Sequence, residues 1–155
     1  MNTVQILFSA DSSWASKVTR FFLNSRWSHV VIIDPTTKTR IEAYPLQGVR
    51  ERPLAVDALP THKYTEFAIV NIPHPNPQAV FDMARTQLGK PYDLLGALGV
   101  GINRNWQEDD KWFCSEFVAW IFEKTGSPLF RSEAVKRISP QDLWELPFPV
   151  SLKSF

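Results

Sequence analysis

Short hydrophobic runs typical of strands occupy most of the first half of this chain, and helical spacing dominates the second half. Segments rich in β-branched and aromatic residues predict strands at 4–8, 27–33, 39–44, 49–52 and 63–72, with a last strand at 149–152. One helix interrupts them, starting after Ser12 or Ser13 and ending near Leu23. Its apolar side carries Trp14, Val18, Phe21 and Phe22. Because strands lead and helices follow, the pattern favours an α+β fold over a βαβ array.

Capping and turn signals predict the helices of the second half. Asn76 suits the cap of a helix that has Pro77 at its first position and Gly89 at its end. The segment 139–142, Ser-Pro-Gln-Asp, resembles a capping box with proline at the first helical position. Weaker helical segments are expected at 54–59, from Pro91 onward and at 127–128, and a polar loop is expected at 103–111.

The only cysteine lies at the start of the clearest helical stripe. Apolar residues at 113, 117, 118, 121 and 122 recur at helical spacing, and Gly126 suits a C-terminal cap. Cys114 then falls in the first turn, where unpaired N–H groups and the positive end of the helix dipole favour a thiolate. Such a thiolate is a nucleophile. The alternative is that Cys114 is a small buried apolar residue, as free cysteines usually are.

Composition limits the classes of function. The 155 residues fit one domain (1–155), and 44% apolar with 21% charged residues is typical of a soluble globular protein. A net charge of +1 points neither to nucleic acid nor to an anionic membrane surface. A single cysteine cannot form an internal disulfide, which favours a reducing compartment. The start of the chain lacks signal-peptide features and the longest near-apolar run, 94–102, is too short to span a bilayer, so we expect a cytoplasmic protein.

His29 is the histidine best placed to serve as a base, because it lies inside an apolar strand, whereas His62 and His74 fit solvated positions. The segment 34–37, Asp-Pro-Thr-Thr, has type I turn chemistry. A two- or four-residue loop centred between residues 35 and 36 would place Glu42 directly opposite His29, with Cβ atoms about 5 Å apart. A three-residue loop would spoil this pairing. The alternatives are a core or barrel-rim histidine and an ordinary exposed strand carboxylate.

No cofactor or metal is expected from the sequence. Cys114, His29 and Glu42 have the chemistry to bind zinc, but no fourth ligand is evident and the short-spaced ligand pairs of structural zinc sites are absent. The glycines at 96, 99 and 101 lie in an apolar segment, not between a strand and a helix, so they do not form a dinucleotide-binding motif.

Several motifs follow one another in an order that resembles a known superfamily. They are Ser-His-Val at 28–30, an acid on the following strand, Gly-Lys-Pro-Tyr-Asp at 89–93 and Trp-Phe-Cys-Ser-Glu-Phe-Val at 112–118. The order is similar to that of circularly permuted NlpC-type papain-like hydrolases, in which the histidine precedes the cysteine. The YiiX-like branch is the nearest match, and lecithin:retinol acyltransferase-like proteins are more distant. The resemblance spans about residues 4–145 and implies an antiparallel sheet or partial barrel packed against helices.

The resemblance also implies roles for particular residues. Cys114 corresponds to the nucleophile, His29 to the base and Glu42 to the third polar residue. Tyr92 matches a tyrosine near the site, where its phenol would contact the oxyanion or the substrate, although packing on the core explains it equally well. Ser28 is a weaker candidate for shaping the site through its backbone. Cell-wall enzymes of this superfamily often have aspartate where this chain has Phe113, which argues against a peptidoglycan substrate.

Two classes of function follow from these observations. The first is a cysteine hydrolase of amides or esters, acting through an acyl-enzyme on small peptides, cell-wall amides or lipid acyl groups; an acyltransferase would differ only in its acceptor. The second is a non-enzymatic binding module whose cleft takes a small amphipathic or lipid-like ligand, lined by Trp27, Trp106 and Trp112. A weaker alternative is an interaction protein, for example of phage origin, with a vestigial site.

Overall fold

The computed structural model describes residues 2–54, 66–93, 111–131 and 138–154. The strands in these segments are β1 Thr3–Ala10, β2 His29–Asp34, β3 Thr39–Tyr44, β4 Gly48–Pro53, β5 Glu66–Pro73 and β6 Val150–Ser154. The helices are α1 Trp14–Phe22, α2 Pro77–Arg85, α3 Cys114–Lys124 and α4 Pro140–Trp144. All six strands form one open sheet in the order β4-β3-β2-β1-β5-β6, and every neighbouring pair is antiparallel. The α+β expectation is thus confirmed.

Side-chain caps begin three of the helices as predicted. Ser13 caps α1 by accepting a hydrogen bond from the backbone N–H of Ser16. Asn76 caps α2 in the same way and Pro77 takes the first helical position. Ser139 and Asp142 form a complete capping box at α4. The end of α2 differs from the prediction: the helix stops at Arg85, and Gly89, with φ of 86°, follows in a turn.

The main core lies between one face of the sheet and helices α2 and α3. Alternate strand residues, including Ile6, Val30, Ile32 and Ile41, point into it. Helix α3 packs against β2 and β3, and all five residues of its predicted apolar stripe are essentially inaccessible to solvent. Because α3 lies on the two strands that carry the acid and the histidine, the core packing brings the cysteine helix to that hairpin.

The β2–β3 hairpin has a different register from the predicted one. Asp34 pairs with Thr39 and Ile32 with Ile41, so the loop is Pro35 to Lys38 and its centre lies one residue further along the chain. Lys38 closes the loop with φ of 54°, which adds a residue in the left-handed region before β3 begins. The resulting shift of two residues in pairing preserves the face on which each side chain lies. Glu42 is therefore a diagonal neighbour of His29 instead of its direct partner.

Several other local expectations differ from the structure. Residues 91–93 are not helical, because Tyr92 forms an isolated parallel bridge with Trp112, and the rest of the helical segment expected from Pro91 onward lies outside the described residues. Residues 127–131 form no helix, and Leu54 follows β4 without helical structure. The expected features at 55–59, His62, 94–102 and 103–110 lie outside the described residues. In the described segments, no helix is long and apolar enough to cross a membrane.

Candidate active site

Cys114 is the first residue of α3, as its position in the sequence predicts. Phe113 occupies the N-cap position with extended backbone, and no side chain caps this helix. The thiol is buried, with 1% of the residue exposed. At the other end, Ser127 N–H bonds the carbonyl of Phe122 and Gly126 N–H bonds that of Glu123, the two bonds of a Schellman cap. The helix is thus closed by backbone bonds at its C-terminus and is left without a side-chain partner where the thiol lies.

His29 contacts Glu42, as predicted, although the register differs. Nε2 of His29 lies 2.8 Å from Oε2 of Glu42, and the two side chains are 13% and 1% exposed. A side-chain hydrogen bond also links His29 to Cys114. The structure therefore brings together the three residues named from the sequence as nucleophile, base and third polar residue.

Arg50 and Tyr44 complete the surroundings of this pair, and neither was singled out from the sequence. Arg50 donates to Oε1 of Glu42 from Nε and Nη2 at 2.9 and 2.8 Å, so the two oxygens of Glu42 have different partners. The Arg50 guanidinium lies 3.7 Å from the centre of the Tyr44 ring, which meets the His29 ring edge-on at 5.6 Å. Glu42 and Arg50 are direct cross-strand partners. Counting residue pairs across the 45–47 loop would therefore have placed Arg50 opposite Glu42 from the sequence.

The contacts shift two pKa values in opposite directions. Burial favours the neutral imidazole, but hydrogen bonds with Cys114 and Glu42 and attraction to the same groups raise the pKa of His29 to about 10. Burial also disfavours the carboxylate, yet the hydrogen bond from His29 and the neighbouring positive charges lower the pKa of Glu42 to about 2. At neutral pH the pair is therefore an imidazolium next to a carboxylate.

Tyr92 also reaches the thiol. The backbone of Trp112 donates to Pro91 at 3.0 Å and accepts from Asp93 at 3.1 Å, which ties the tyrosine alongside the residues that precede α3. Burial is the main reason that the pKa of Tyr92 is raised well above its ordinary value, and negative groups including Cys114 add to it, as does a side-chain hydrogen bond with Cys114. The phenol therefore stays protonated and able to donate.

Gly48 helps to hold the tyrosine segment in place. Val49 N–H donates to Lys90 O at 2.8 Å, and Gly89 N–H donates to Val49 O at 2.9 Å. Gly48 has φ of 72°, and a Cβ there would collide with the backbone oxygen of Lys90. A glycine at this position lets β4 approach the segment that carries Tyr92.

The remaining candidates named from the sequence lie elsewhere. Ser28 accepts a hydrogen bond from Ser16 Oγ at 2.8 Å and donates to Ser9 O, so its described contacts are with α1 and β1. Trp27 is fully buried and its ring packs against Phe8. Trp112 is 8% exposed and donates to Gln87, so neither tryptophan lines an open cleft. Trp106 lies outside the described residues.

A thiol at a helix start, hydrogen-bonded to an imidazole that a carboxylate holds, is the arrangement of papain-like cysteine hydrolases. With the histidine strand preceding the cysteine helix, the order is that of the permuted class. The chain belongs to the family of permuted papain-like amidases called YaeF/YiiX, C92, whose family model matches residues 5–146. The predicted membership of a YiiX-like permuted papain-like family is thereby confirmed.

A solved structure shows the same fold. The crystal structure of metalloprotein yiiX from Escherichia coli O157:H7 matches with a TM-score of 0.69 and 19% sequence identity, covering 99% of this chain and 98% of that one. At this identity the likeness speaks for the fold alone. None of the curated proteins compared with the chain matches it. The family membership supports cysteine hydrolase activity of the amidase type in general.

Proposed function

We propose that this protein is a cysteine amidase in which Cys114 is the nucleophile, His29 transfers protons and Glu42 orients His29. The observation that carries the proposal is the position of His29, which bonds Glu42 through Nε2 at 2.8 Å and is also hydrogen-bonded to Cys114. Since Glu42 takes Nε2, Nδ1 is the ring nitrogen left to face the thiol. Nε2 therefore orients the ring through Glu42, and Nδ1 transfers the proton.

In the proposed reaction Cys114 attacks as a thiolate with the His29 imidazolium as its counter-ion, in keeping with the raised pKa of His29. The thiolate sulfur attacks the amide carbonyl carbon and forms a tetrahedral intermediate. As the intermediate collapses, the C–N bond breaks and the imidazolium gives its proton to the leaving amine. Neutral His29 then takes a proton from water, which attacks the thioester, and the carboxylic acid leaves and ionises in solvent as the thiolate is restored.

Two donors suit the oxyanion that forms during attack. The backbone N–H of Cys114 lies in the first turn of α3, where the helix dipole favours negative charge. Tyr92 adds a protonated phenol that already contacts the thiol. Burial of that phenol keeps its proton in place through the reaction, so it acts as a hydrogen-bond donor and not as a base.

Arg50 acts on the reaction through Glu42. Its two nitrogens hold Oε1 of the carboxylate at 2.9 and 2.8 Å while Oε2 contacts His29. This keeps Glu42 ionised although it is buried, and it fixes the direction of the carboxylate. Arg50 is therefore a positioning residue.

The protein yiiX, which has the same fold, is described as a metalloprotein. Among the residues that the structure describes, no group of three or more histidine, cysteine or acidic side chains is arranged to hold a metal ion. Both oxygens of Glu42 already contact cationic or histidine side chains. The described residues therefore do not suit a metal, and the proposed reaction uses none.

An amide is the substrate class that the family supports. Small peptides and cell-wall amides remain candidates, and acyl lipids and esters are alternatives that the chemistry of a thioester intermediate also permits. The alternative of a binding module has less support, because two of the three tryptophans expected to line its cleft, Trp27 and Trp112, are buried. A cytoplasmic location and transfer of the acyl group to an acceptor other than water stay predictions.

Thiol alkylation and acyl trapping test the proposal together. We expect iodoacetamide to label Cys114 faster in the wild type than in His29→Ala at about pH 6, because the thiolate is the reactive form and the His29 imidazolium favours it. Intact mass after incubation with a library of N-acyl amides should show an acyl adduct that is absent in Cys114→Ser. Equal labelling of the wild type and His29→Ala, with no adduct from any donor, would contradict the proposal.

A further inference from the structure

Helix α1 turns its large apolar side chains away from the protein. Trp14 is 79% exposed, Phe21 81% and Phe22 52%. Trp14, Val18 and Phe21 recur at spacings of four and three residues, so they lie on one face of the helix, and Phe22 borders it. We call Trp14, Val18, Phe21 and Phe22 the aromatic ridge. Its exposed aromatics form a group and are not single scattered residues, which marks an interaction surface.

The orientation of α1 is held by polar contacts on its opposite side. Ser16 is buried, and its Oγ donates to Ser28 at 2.8 Å and accepts from the backbone of Asp11 at 3.2 Å. Leu23, just after the helix, is also buried. Turning the aromatic ridge inward would break these bonds and expose Leu23. The outward direction is thus built into the fold.

Charge distinguishes between possible occupants of the ridge. Lys17 is exposed, and α1 has no acidic residue between Trp14 and Phe22. Arg20 lies one turn from the buried Ser16 and its Nε is buried, so Arg20 faces away from the ridge. Asp11, before the helix, accepts a hydrogen bond from the backbone of Ser13. Two copies of the ridge placed face to face would bring like charges together. Anionic lipid headgroups complement the exposed lysine, and tryptophan with phenylalanine is suited to the boundary between headgroups and acyl chains.

We propose that the aromatic ridge docks this protein on an anionic lipid bilayer, with α1 lying parallel to the surface. The aromatic side chains enter the headgroup region, and the long stem of Lys17 lets its charge reach the phosphates. Ser16 bonds Ser28, the residue before His29, so the docked helix adjoins the strand that carries the proposed base. The surface acts independently of the reaction at Cys114.

Vesicle sedimentation without substrate tests the docking. We expect the wild type to bind vesicles of phosphatidylcholine mixed with phosphatidylglycerol and to bind phosphatidylcholine alone much less. The double variant Trp14→Ser/Phe21→Ser should lose at least about tenfold in partitioning, because two exposed aromatics no longer enter the bilayer. Lys17→Glu should weaken the preference for the anionic lipid.

Leu46→Ser is the matched control, because Leu46 is 86% exposed and lies outside α1. It should bind as the wild type does, and circular dichroism should show all variants folded. Failure of the wild type to bind anionic vesicles, or equal binding by Trp14→Ser/Phe21→Ser, would overturn the proposal. So would a concentration-dependent dimer in light scattering that this double variant abolishes, because a second copy would then cover the ridge. None of these outcomes depends on whether Cys114 is catalytic.

Discussion

Helices α1 and α3 both carry an apolar stripe at helical spacing, but they turn it in opposite directions. The stripe of α3 is buried in the core, whereas the largest side chains of α1 are the most exposed aromatics in the described segments. Their starts differ as well. Ser13 caps α1, whereas α3 begins at Phe113 without a side-chain cap. The start of α1 therefore has a side-chain cap, whereas the start of α3 has none and its first N–H groups lie next to the thiol of Cys114.

The largest effect should come from the thiol at the start of α3. Cys114→Ala should reduce amide hydrolysis by about 10⁴-fold or more, because no other group can form the acyl-enzyme. Ser13→Ala, at the start of α1, should leave activity unchanged and cost about 1 kcal/mol of stability. Steady-state rates and urea unfolding of both variants measure this. A Cys114→Ala protein that keeps wild-type rates would show that the two helix starts do not differ in chemistry.

The opposite directions of the two stripes predict opposite sensitivities to truncation. Phe117→Ala in α3 should lower the free energy of unfolding by about 3–5 kcal/mol, because a fully buried ring leaves a cavity. Phe21→Ala in α1 should change it by less than about 0.5 kcal/mol, because that ring is already in water. Urea midpoints at matched slopes would show the contrast. Similar losses in both variants would mean that the side chain of Phe21 is buried in solution.

The buried pair of His29 with Glu42 and the exposed pair of Arg26 with Glu66 should also contribute differently to stability. The pKa of His29 is higher in the folded protein than its unfolded value of about 6.5, so protonated His29 stabilises the fold. This stabilisation is complete below about pH 6.5 and is lost as the pH rises through about 10. Glu42→Gln should lower the pKa of His29 and reduce that pH-dependent stability. Glu66→Gln, which removes the exposed pair with Arg26 at 3.0 Å, should cost at most about 1 kcal/mol.

NMR titration of the His29 ring and urea unfolding across this pH range test the comparison of the ion pairs. The wild type should lose stability between about pH 7 and 10 by more than Glu42→Gln does. An unchanged His29 pKa in Glu42→Gln would show that the carboxylate does not hold the imidazolium.

Tyr92 should give the smallest of these effects. Tyr92→Phe should lower kcat by about tenfold with little change in KM, because one of two oxyanion donors is lost and the ring remains. Equal rates for Tyr92→Phe and the wild type would leave the backbone N–H as the sole oxyanion donor.

Much of the local structure was predictable from sequence. The Ser139–Asp142 capping box, the start of α3 and the bounds of β3 depend on residues only a few positions apart. The contact of His29 with Glu42 was predictable for a different reason. The alternation of side chains along strands tolerates an error of two residues in pairing, so the wrong register still placed both on one face.

The long-range features were not predictable in this way. Arg50 was missed because only the β2–β3 hairpin was counted, and the bridge between Tyr92 and Trp112 was not predicted. Spacing could not bring Cys114 to His29 either; the resemblance to a family implied their closeness before the packing of α3 on β2 and β3 explained it.

By itself the sequence determined that α1 and α3 are helices with apolar stripes and that one of them begins at Cys114. These features depend on local backbone bonding and on the period of the side chains. Only the tertiary structure decided which stripe is buried, because burial depends on the partners that the rest of the chain supplies. The buried Ser16 and its bond to Ser28 turn the aromatic ridge outward, and the sheet beneath α3 turns its stripe inward.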